Sequence, residues 1–205
     1  MNMKSMNGPE QSKEIGRPLA GTLAVAVGLL RLVPHAWNFT PSEAMEIFSG
    51  ARLRTWHAFA IPLAVRLVTD LLLLPIQGLV ASFSLYVSFL PFVYLSIIFN
   101  VLLGRLLCRT KSPWKIGTVV LLGSVQFFLL TNFGSWIGSN MYPHTAAGLI
   151  SAYWMGLPFF GSTLVGCFAY AAVLFGADAW LASRQRAVKT VAAPATYAAE
   201  VPACA

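Results

Sequence analysis

The chain has 205 residues, of which 57% are hydrophobic and only 10% are charged. Soluble domains carry about 25% charged residues, so this composition excludes an ordinary water-soluble domain and indicates a polytopic membrane protein. The net charge of +7 does not indicate nucleic-acid binding, because the fourteen Lys and Arg are scattered along the chain instead of forming one basic patch.

The N-terminal part of the chain predicts a flexible tail followed by a membrane helix. Residues 1–16 are polar and lack a hydrophobic pattern, whereas the run from Pro18 to Val33 is apolar. Three small residues recur at four-residue spacing on one face of this helix: Ala20, Ala24 and Gly28. Small residues at this spacing let helix backbones approach closely in lipid, so the face suits either docking of a partner protein or packing within the chain.

A connection bounded by prolines and a short helix come next. Pro34 and Pro41 disfavour a helical conformation in the residues before them, so the segment between them is expected to be an ordered, non-helical connection. Ser42 to Ala51 predicts a short helix, with Glu43 and Glu46 favoured near its positive N-terminal end. It is too short to cross a membrane alone, since about 20 residues are needed. Inside a bundle, however, it can return the chain to the cytoplasmic side.

Trp56 to Ile76 predicts the next spanning helix, which contains Arg66 and Asp70. These two residues lie four positions apart, on one helical face, where they can pair. A charge near the membrane centre costs about 2.5–3.5 kcal/mol, so neither side chain is expected to face lipid. Two interpretations stay open: a structural ion pair, or a pair with one member facing a ligand cavity.

Three further apolar runs predict spanning helices: Tyr86 to Leu107, Ile116 to Ile137 and Ala147 to Leu181. The segment between Arg105 and Lys115 has four positive charges and no acidic residue, which predicts a cytoplasmic loop. A tail that is first basic and then rich in Ala and Pro, residues 184–205, follows the last helix. The sequence thus predicts an all-α fold, a six-helix transmembrane bundle at residues 17–183 with both termini in the cytoplasm.

The even helix count is expected to bring three connections, 34–41, 77–84 and 138–146, to the external face. Aromatic, amide and imidazole side chains lie in or beside them: His35, Trp37, Asn38, Tyr86, Asn132, Trp136, Tyr142, His144 and Tyr153. Aromatic walls with a few polar groups suit a small organic ligand, so these residues are predicted to form its binding cup. The competing interpretation is that they are anchors at the membrane interface.

Motifs for catalysis and for metal binding do not occur. The sequence has no Gly-x-Ser-x-Gly elbow, no His-Glu-x-x-His zinc motif and no phosphate-binding Gly-x-x-x-x-Gly-Lys loop. Its three cysteines lack zinc-site spacing. We therefore expect neither an enzyme nor a metal centre, and transport would need a partner or a gradient.

Four motifs, in order and spread over residues 18–180, resemble the signature of an uncharacterised family of bacterial inner-membrane proteins. They are Arg31-x-x-Pro34-His35-x-x-Asn38-Phe39-Thr40-Pro41, Thr131-Asn132-Phe133-Gly134-x-Trp136, Tyr142-Pro143-x-Thr145-x-x-Gly148-Leu149 and Pro158-Phe159-Phe160. That family is similar to the substrate-binding S components of energy-coupling-factor (ECF) vitamin transporters, which have six helices. The nearest analogue is the cobalamin-specific S component, which can act without a dedicated energising module.

The resemblance implies an outward-facing vitamin cup, with His35 and Tyr86 as matching positions, and cobalamin as the first candidate for the transported ligand. It also implies that Ala20 and Ala24 dock onto an ECF coupling subunit with its ATPases. The sequence departs from some cobalamin-binding relatives because Ala81 lies near the position of their cobalt-binding cysteine, so no thiolate–cobalt bond is expected. The alternative function is a structural or assembly membrane protein without a small-molecule ligand.

Overall fold

The computed structural model describes residues 9–34, 36, 38–54, 56–73, 75, 83–108, 110 and 112–192, with side chains except at 9–17, 83–86 and 185–192. The described residues form six α-helices and one short 3-10 turn, and no strand occurs among them. The helices are α1 Pro9–Leu29, α2 Ser42–Arg52, α3 His57–Leu73, α4 Phe83–Arg105, α5 Pro113–Gly138 and α6 Ala146–Ala192, and the 3-10 turn is Leu30–Leu32. The predicted all-α fold with six helices is therefore confirmed at this level.

The first and last helices extend beyond the bounds expected from hydrophobicity. α1 begins at Pro9, inside the segment expected to be a tail, and proline is well accepted in the first turn of a helix. α6 continues through Pro158 and past the basic residues to Ala192, shortly before the next proline, Pro194. Charged residues do not interrupt a helix, so the loss of hydrophobicity near Arg184 is not its end.

Among the described residues, three helices are long and apolar enough to cross a membrane: Val87–Arg105, Pro113–Gly138 and Ala146–Arg184. Pro18–Leu32 is a shorter apolar helix. Large hydrophobic side chains cover the outer faces of the three long helices, including Phe99 on α4, Leu122 on α5 and Val165 on α6, which are 45%, 49% and 63% exposed. Apolar surface of this extent on a monomer marks contact with lipid or with another protein, and it indicates a membrane protein.

The short helix α2 lies in the centre of the bundle. All of its residues from Ser42 to Ala51 are buried, and it contacts each of the other five helices. Its side chains Ile47 and Phe48 belong to the hydrophobic core, where Phe48 packs edge-on against Phe175 of α6 with ring centroids 5.2 Å apart. α2 is thus enclosed by protein, which is what allows so short a helix to lie among membrane-spanning segments.

The small residues of α1 face this central helix. Ala20 and Ala24 are 3% and 0% exposed, and a Cβ at Gly28 would collide with Met45 Sδ and lie 2.8 Å from Val65 Cγ1. The close approach of α1 to α2 and α3 therefore requires small side chains here. This is the intrachain packing that the spacing also allowed, and it leaves these three residues no surface for docking a partner.

The bundle has one strongly basic end, which we define by Arg52, Arg54, Arg105, Lys115 and Arg184. Arg52 Nε donates to Asp178 Oδ2 at 2.8 Å, and its guanidinium also donates to the carbonyl of Leu107 at 3.2 Å. Arg105 donates to the carbonyl of Leu53 at 3.0 Å. These contacts hold the end of α2 to α4 and α6. The opposite end carries the α1–α2 and α5–α6 connections. α2 therefore returns the chain from that end to the basic end, which is the direction predicted for the second of six helices.

Candidate functional site

A cavity of about 300 Å³ lies between the α1–α2 connection and helices α3 to α6, at the end of the bundle opposite the basic end. Five phenylalanines line it: Phe89, Phe127, Phe128, Phe159 and Phe160. Its polar and charged lining residues are Arg31, Asn38, Thr40, Glu43, Arg66, Thr131, Asn132, Ser135 and Thr163. The cavity reaches the surface of the bundle, because Asn38 and Phe159 are exposed.

The α1–α2 connection reaches deep into the bundle to form one wall. The Phe39 ring packs against Tyr170 with centroids 5.5 Å apart, and a Cβ at Gly166 would lie 3.2 Å from Phe39 Cα. Gly166 is near the middle of the apolar span of α6, so non-helical backbone packs beside the middle of this span. Such backbone is accepted in membrane proteins where it is buried in protein or lines a cavity. Asn38 makes the turn with a φ of 57°, a left-handed conformation that asparagine adopts more readily than most residues.

Two arginines and one aspartate form an ion-pair cluster on the wall formed by α1 and α3. Arg66 Nε donates to Asp70 Oδ2 at 2.8 Å, which is the pairing expected from their spacing. Arg31, from the turn after α1, pairs with Asp70 Oδ1 and donates to Thr69 Oγ1 at 2.7 Å. The Asp70 side chain is 4% exposed, whereas both arginines line the cavity. The two interpretations left open by the sequence therefore apply together: the pair is structural, and Arg66 also faces the cavity.

Two buried glutamates on α2 were not predicted as site residues. Glu43 and Glu46 are each 2% exposed. Glu46 accepts a hydrogen bond of 2.7 Å from Asn100 Nδ2, and Asn100 Oδ1 accepts one of 2.9 Å from Gln126 Nε2. Gln126 also donates to Ser96 Oγ at 2.8 Å. A polar network thus connects α2, α4 and α5 in the interior of the bundle.

Glu43 differs from Glu46 in its surroundings. Glu43 lines the cavity, and its Oε2 is buried without a hydrogen-bond partner among the described residues. The sequence pattern places both glutamates at a helix start, where the helix dipole stabilises acidic residues and where such residues are often solvated. No local signal separates a solvated first turn from a buried one, so only the tertiary arrangement identifies Glu43 as a cavity residue.

Two of the predicted cup residues line the cavity, Asn38 and Asn132. Asn132 Nδ2 donates to the carbonyl of Phe128 at 2.8 Å, and a Cβ at Gly156 would collide with the Asn132 side chain. Glycine at this position therefore lets α6 approach the asparagine. His35 and Trp37 lie outside the described residues, and so does the side chain of Tyr86.

The remaining cup residues stabilise the α5–α6 hairpin and do not line the cavity. Trp136 Nε1 donates to the carbonyl of Pro143 at 2.9 Å, and its ring contacts that of His144 with centroids 5.9 Å apart. His144 is exposed, with Nε2 at 3.3 Å from the carbonyl oxygen of Ser139. Tyr142 is half-buried in the same connection. α5 and α6 continue beyond the cavity and carry this connection away from it, and a role of these three residues in binding a ligand stays a prediction.

Tyr153 is another predicted cup residue, and its role in binding a ligand stays a prediction. Its hydroxyl donates to the carbonyl of Leu129 at 3.1 Å, and its ring packs against Phe128 at a centroid distance of 5.8 Å. Tyr153 therefore supports a lining residue from behind. It does not itself reach the cavity.

The arrangement can bind a compact molecule with charged or polar groups and a flat apolar part. Pockets for small molecules measure about 300–1,000 Å³, so this cavity is at the small end of that range. Its charged groups come from the turn after α1 and from α2 and α3, and its phenylalanines come from α4, α5 and α6. Within the part of the chain that the structure describes, no group of three or more His, Cys, Asp or Glu could hold a metal ion.

Comparison with known proteins gives one match. No curated protein and no solved structure matches the chain. The sequence model of one family, described as "Family of unknown function (DUF6580)", matches residues 13–192, which include most of α1, all of α2 to α6 and every residue that lines the cavity. The chain therefore belongs to the family of unknown function DUF6580.

Proposed function

We propose that this chain is a substrate-binding membrane transport protein of the S-component type, which takes up a vitamin-like small molecule through the cavity. One observation carries the proposal: a cavity with two arginines and a glutamate on its walls lies inside a helical bundle whose outer surface is apolar. Ionisable residues within a membrane are costly, and where they occur they usually mark a path for a substrate or an ion.

The charge distribution supports an orientation. Lys and Arg in short connections favour the cytoplasmic side, which assigns the basic end to the cytoplasm of a bacterial inner membrane. α1 passes the basic end at Gly21, because a Cβ there would lie 3.9 Å from Leu53 Cδ2. α6 passes the same end at Arg184. Both termini are then cytoplasmic and the cavity opens on the external side, as uptake requires.

The volume of the cavity limits the size of the ligand. A volume of about 300 Å³ suits a compact molecule, whereas a corrin ring with its substituents needs far more space. Cobalamin would enter only if the α1–α2 connection moved away from α6. The proposal therefore favours a compact vitamin-like molecule over cobalamin. It gives Ala20 and Ala24 no role in docking a coupling subunit, because both are buried against the rest of the chain.

A pair of serine variants tests the proposal. Ser135 lines the cavity, whereas Ser151 is exposed on α6, and each donates to the carbonyl four residues earlier, at 3.0 Å and 2.9 Å. Ser135→Phe adds a ring inside the cavity, and Ser151→Phe adds the same ring on the outer surface. Each protein is purified in mild detergent and analysed by native mass spectrometry for bound small molecules. Uptake of isotope-labelled vitamins is measured separately, in cells that produce each protein.

We expect wild type and Ser151→Phe to retain a bound molecule and to support its uptake, and Ser135→Phe to lose both. Equal binding by all three proteins would show that the molecule binds outside the cavity, and it would overturn the proposal. Absence of any bound molecule together with absence of uptake would favour the alternative, a structural or assembly role. Exposed tryptophans such as Trp114 and Trp154, 86% and 71% exposed, would then serve only as interfacial anchors.

A further inference from the structure

The unpartnered carboxylate oxygen of Glu43 is the least explained polar atom of the cavity. Glu43 is 2% exposed, its Oε2 has no hydrogen-bond partner among the described residues, and the residue lines the cavity. A buried acceptor without a donor is costly, and native proteins rarely retain one unless it binds something. Water inside the cavity could hydrate this oxygen, but hydration alone does not explain why a carboxyl group is placed there.

Charge complementarity indicates what the carboxylate would bind. On the wall formed by the turn after α1 and by α3, Arg31 and Arg66 both pair with the carboxylate of Asp70. Glu43, from α2, presents a carboxyl group to the same cavity, and a basic nitrogen bound beside that group would favour its ionised form. The hydrogen bond that the Arg66 side chain makes to the described residues uses its Nε and leaves its terminal nitrogens for an acceptor. Phenylalanines from α4, α5 and α6 form the remaining walls.

We propose that the molecule bound in this cavity carries a basic nitrogen that Glu43 binds and an acidic or carbonyl oxygen that Arg66 binds, joined by a flat ring held among the phenylalanines. This inference rests on the proposed function and specifies its substrate class: a small amphoteric molecule with an aromatic or heteroaromatic ring. Ammonium–carboxylate and guanidinium–carboxylate contacts are charge-assisted hydrogen bonds, about twice as strong as neutral ones. Flat rings pack well against the faces and edges of phenylalanine.

Glu46 provides the matched control for Glu43. It lies one turn further along the same helix and is equally buried, but it has a partner, Asn100, and does not line the cavity. Glu43→Gln removes the carboxyl group that would bind a basic nitrogen. Glu46→Gln removes a carboxyl group of the same kind, and the new amide oxygen still accepts from Asn100.

The probe is 4-(aminomethyl)benzoate, a flat ring with an ammonium and a carboxylate at opposite ends. Its comparators are 4-methylbenzoate, which lacks the ammonium, and benzylamine, which lacks the carboxylate. Binding is measured by isothermal calorimetry on the detergent-purified full chain, with the melting temperature of each variant as the check on folding. We expect the probe to bind wild type roughly tenfold or more tightly than either comparator, and Glu43→Gln to weaken probe binding by a similar factor. Glu46→Gln should leave it within about twofold.

Three results would overturn the inference. The first is equal affinity of wild type for the probe and both comparators. The second is equal affinity of Glu43→Gln and wild type for the probe. The third is a copurified molecule that contains no basic nitrogen. The last result leaves the proposed function intact if that molecule is lost in Ser135→Phe. If no probe binds and no molecule copurifies with wild type, the inference and the proposed function fail together.

Discussion

Gly50 of α2 and Gly104 of α4 meet backbone to backbone. A Cβ at Gly50 would collide with the carbonyl oxygen of Val101 and lie 3.1 Å from Gly104 Cα, and a Cβ at Gly104 would collide with the carbonyl oxygen of Ile47 and lie 3.1 Å from Gly50 Cα. The reciprocal contact lets two helix backbones pack without side chains between them, as small residues do in membrane bundles. It fixes the depth at which α2 lies in the bundle, and with it the position of Glu43.

Gly104→Ala should destabilise the bundle. The obstacle is a backbone carbonyl, which cannot rotate away as a side chain would, so the cost is at the upper end of overpacking effects, about 3 kcal/mol. For a chain of this size the melting temperature in detergent should fall by roughly 6–12 °C. Gly176→Ala is the control, because a Cβ there meets nothing within 4 Å, and it should leave the melting temperature unchanged or slightly higher. Equal melting temperatures for the two variants would contradict the contact.

Asp70→Asn should be more destabilising than the corresponding change at the basic end. It removes the buried countercharge that the half-buried Arg31 and Arg66 share, and removing one partner of a buried ion pair costs about 3–5 kcal/mol. Asp178→Asn is the comparison. The Asp178 side chain is 29% exposed, and Arg52 keeps its bond to the Leu107 carbonyl, so the loss should be at most about 1 kcal/mol.

Thermal unfolding in detergent distinguishes these two changes. A similar loss for both variants would mean that the cluster on α1 and α3 is solvated to the same extent as the pair at the basic end. Solvent around the cluster would also weaken the attraction between Arg66 and an acidic group of a ligand.

Part of this arrangement is encoded locally and could be predicted. The long apolar runs, the four-residue spacing of Arg66 and Asp70, and the short helix after Pro41 depend on neighbours within a few residues. The structure has these features, with α2 at Ser42–Arg52 and three helices long enough to span a membrane.

The site itself depends on contacts that periodicity does not report. Arg31 joins Asp70 from another helix, and Gly50 meets Gly104 across two helices. The burial of Glu43 follows from the central position of α2 and not from its own sequence. Aromatic residues such as Trp136 are typical of ligand cups and of membrane interfaces alike, and composition does not distinguish the two.

Two substitutions at Asn38 separate the roles of its backbone and side chain. With a φ of 57°, Asn38→Gly keeps the backbone conformation and should leave the melting temperature nearly unchanged. Asn38→Val should cost at least about 1–2 kcal/mol, because a β-branched residue is strained in the left-handed region. Because Asn38 also lines the cavity, Asn38→Gly should weaken binding of the copurified molecule without loss of stability. Equal stability of the glycine and valine variants would contradict the left-handed turn.

The native cysteines report the orientation. Cys108 is exposed at the basic end, Cys167 is 0% exposed, and Cys204 lies outside the described residues. In a Cys204→Ser background, a membrane-impermeant maleimide should label Cys108 in inverted vesicles and not in spheroplasts. Asn140→Cys, exposed in the α5–α6 connection, should show the opposite pattern once Cys108 is also replaced by Ser. Labelling of Cys108 in spheroplasts would reverse the proposed orientation and close the cavity to external ligands.

The enclosed position of α2 has a consequence for biogenesis. This helix of 11 residues, about 16 Å long, contains Glu43, Glu46 and Arg52, so it cannot partition into lipid by itself. α4, α5 and α6 are apolar enough to enter the bilayer independently, although they are synthesised later. We expect α2 to remain at the membrane surface until these helices provide Gly104, Asn100 and the rest of its surroundings. The order in which the helices reach the membrane interior then differs from the order in which the ribosome makes them.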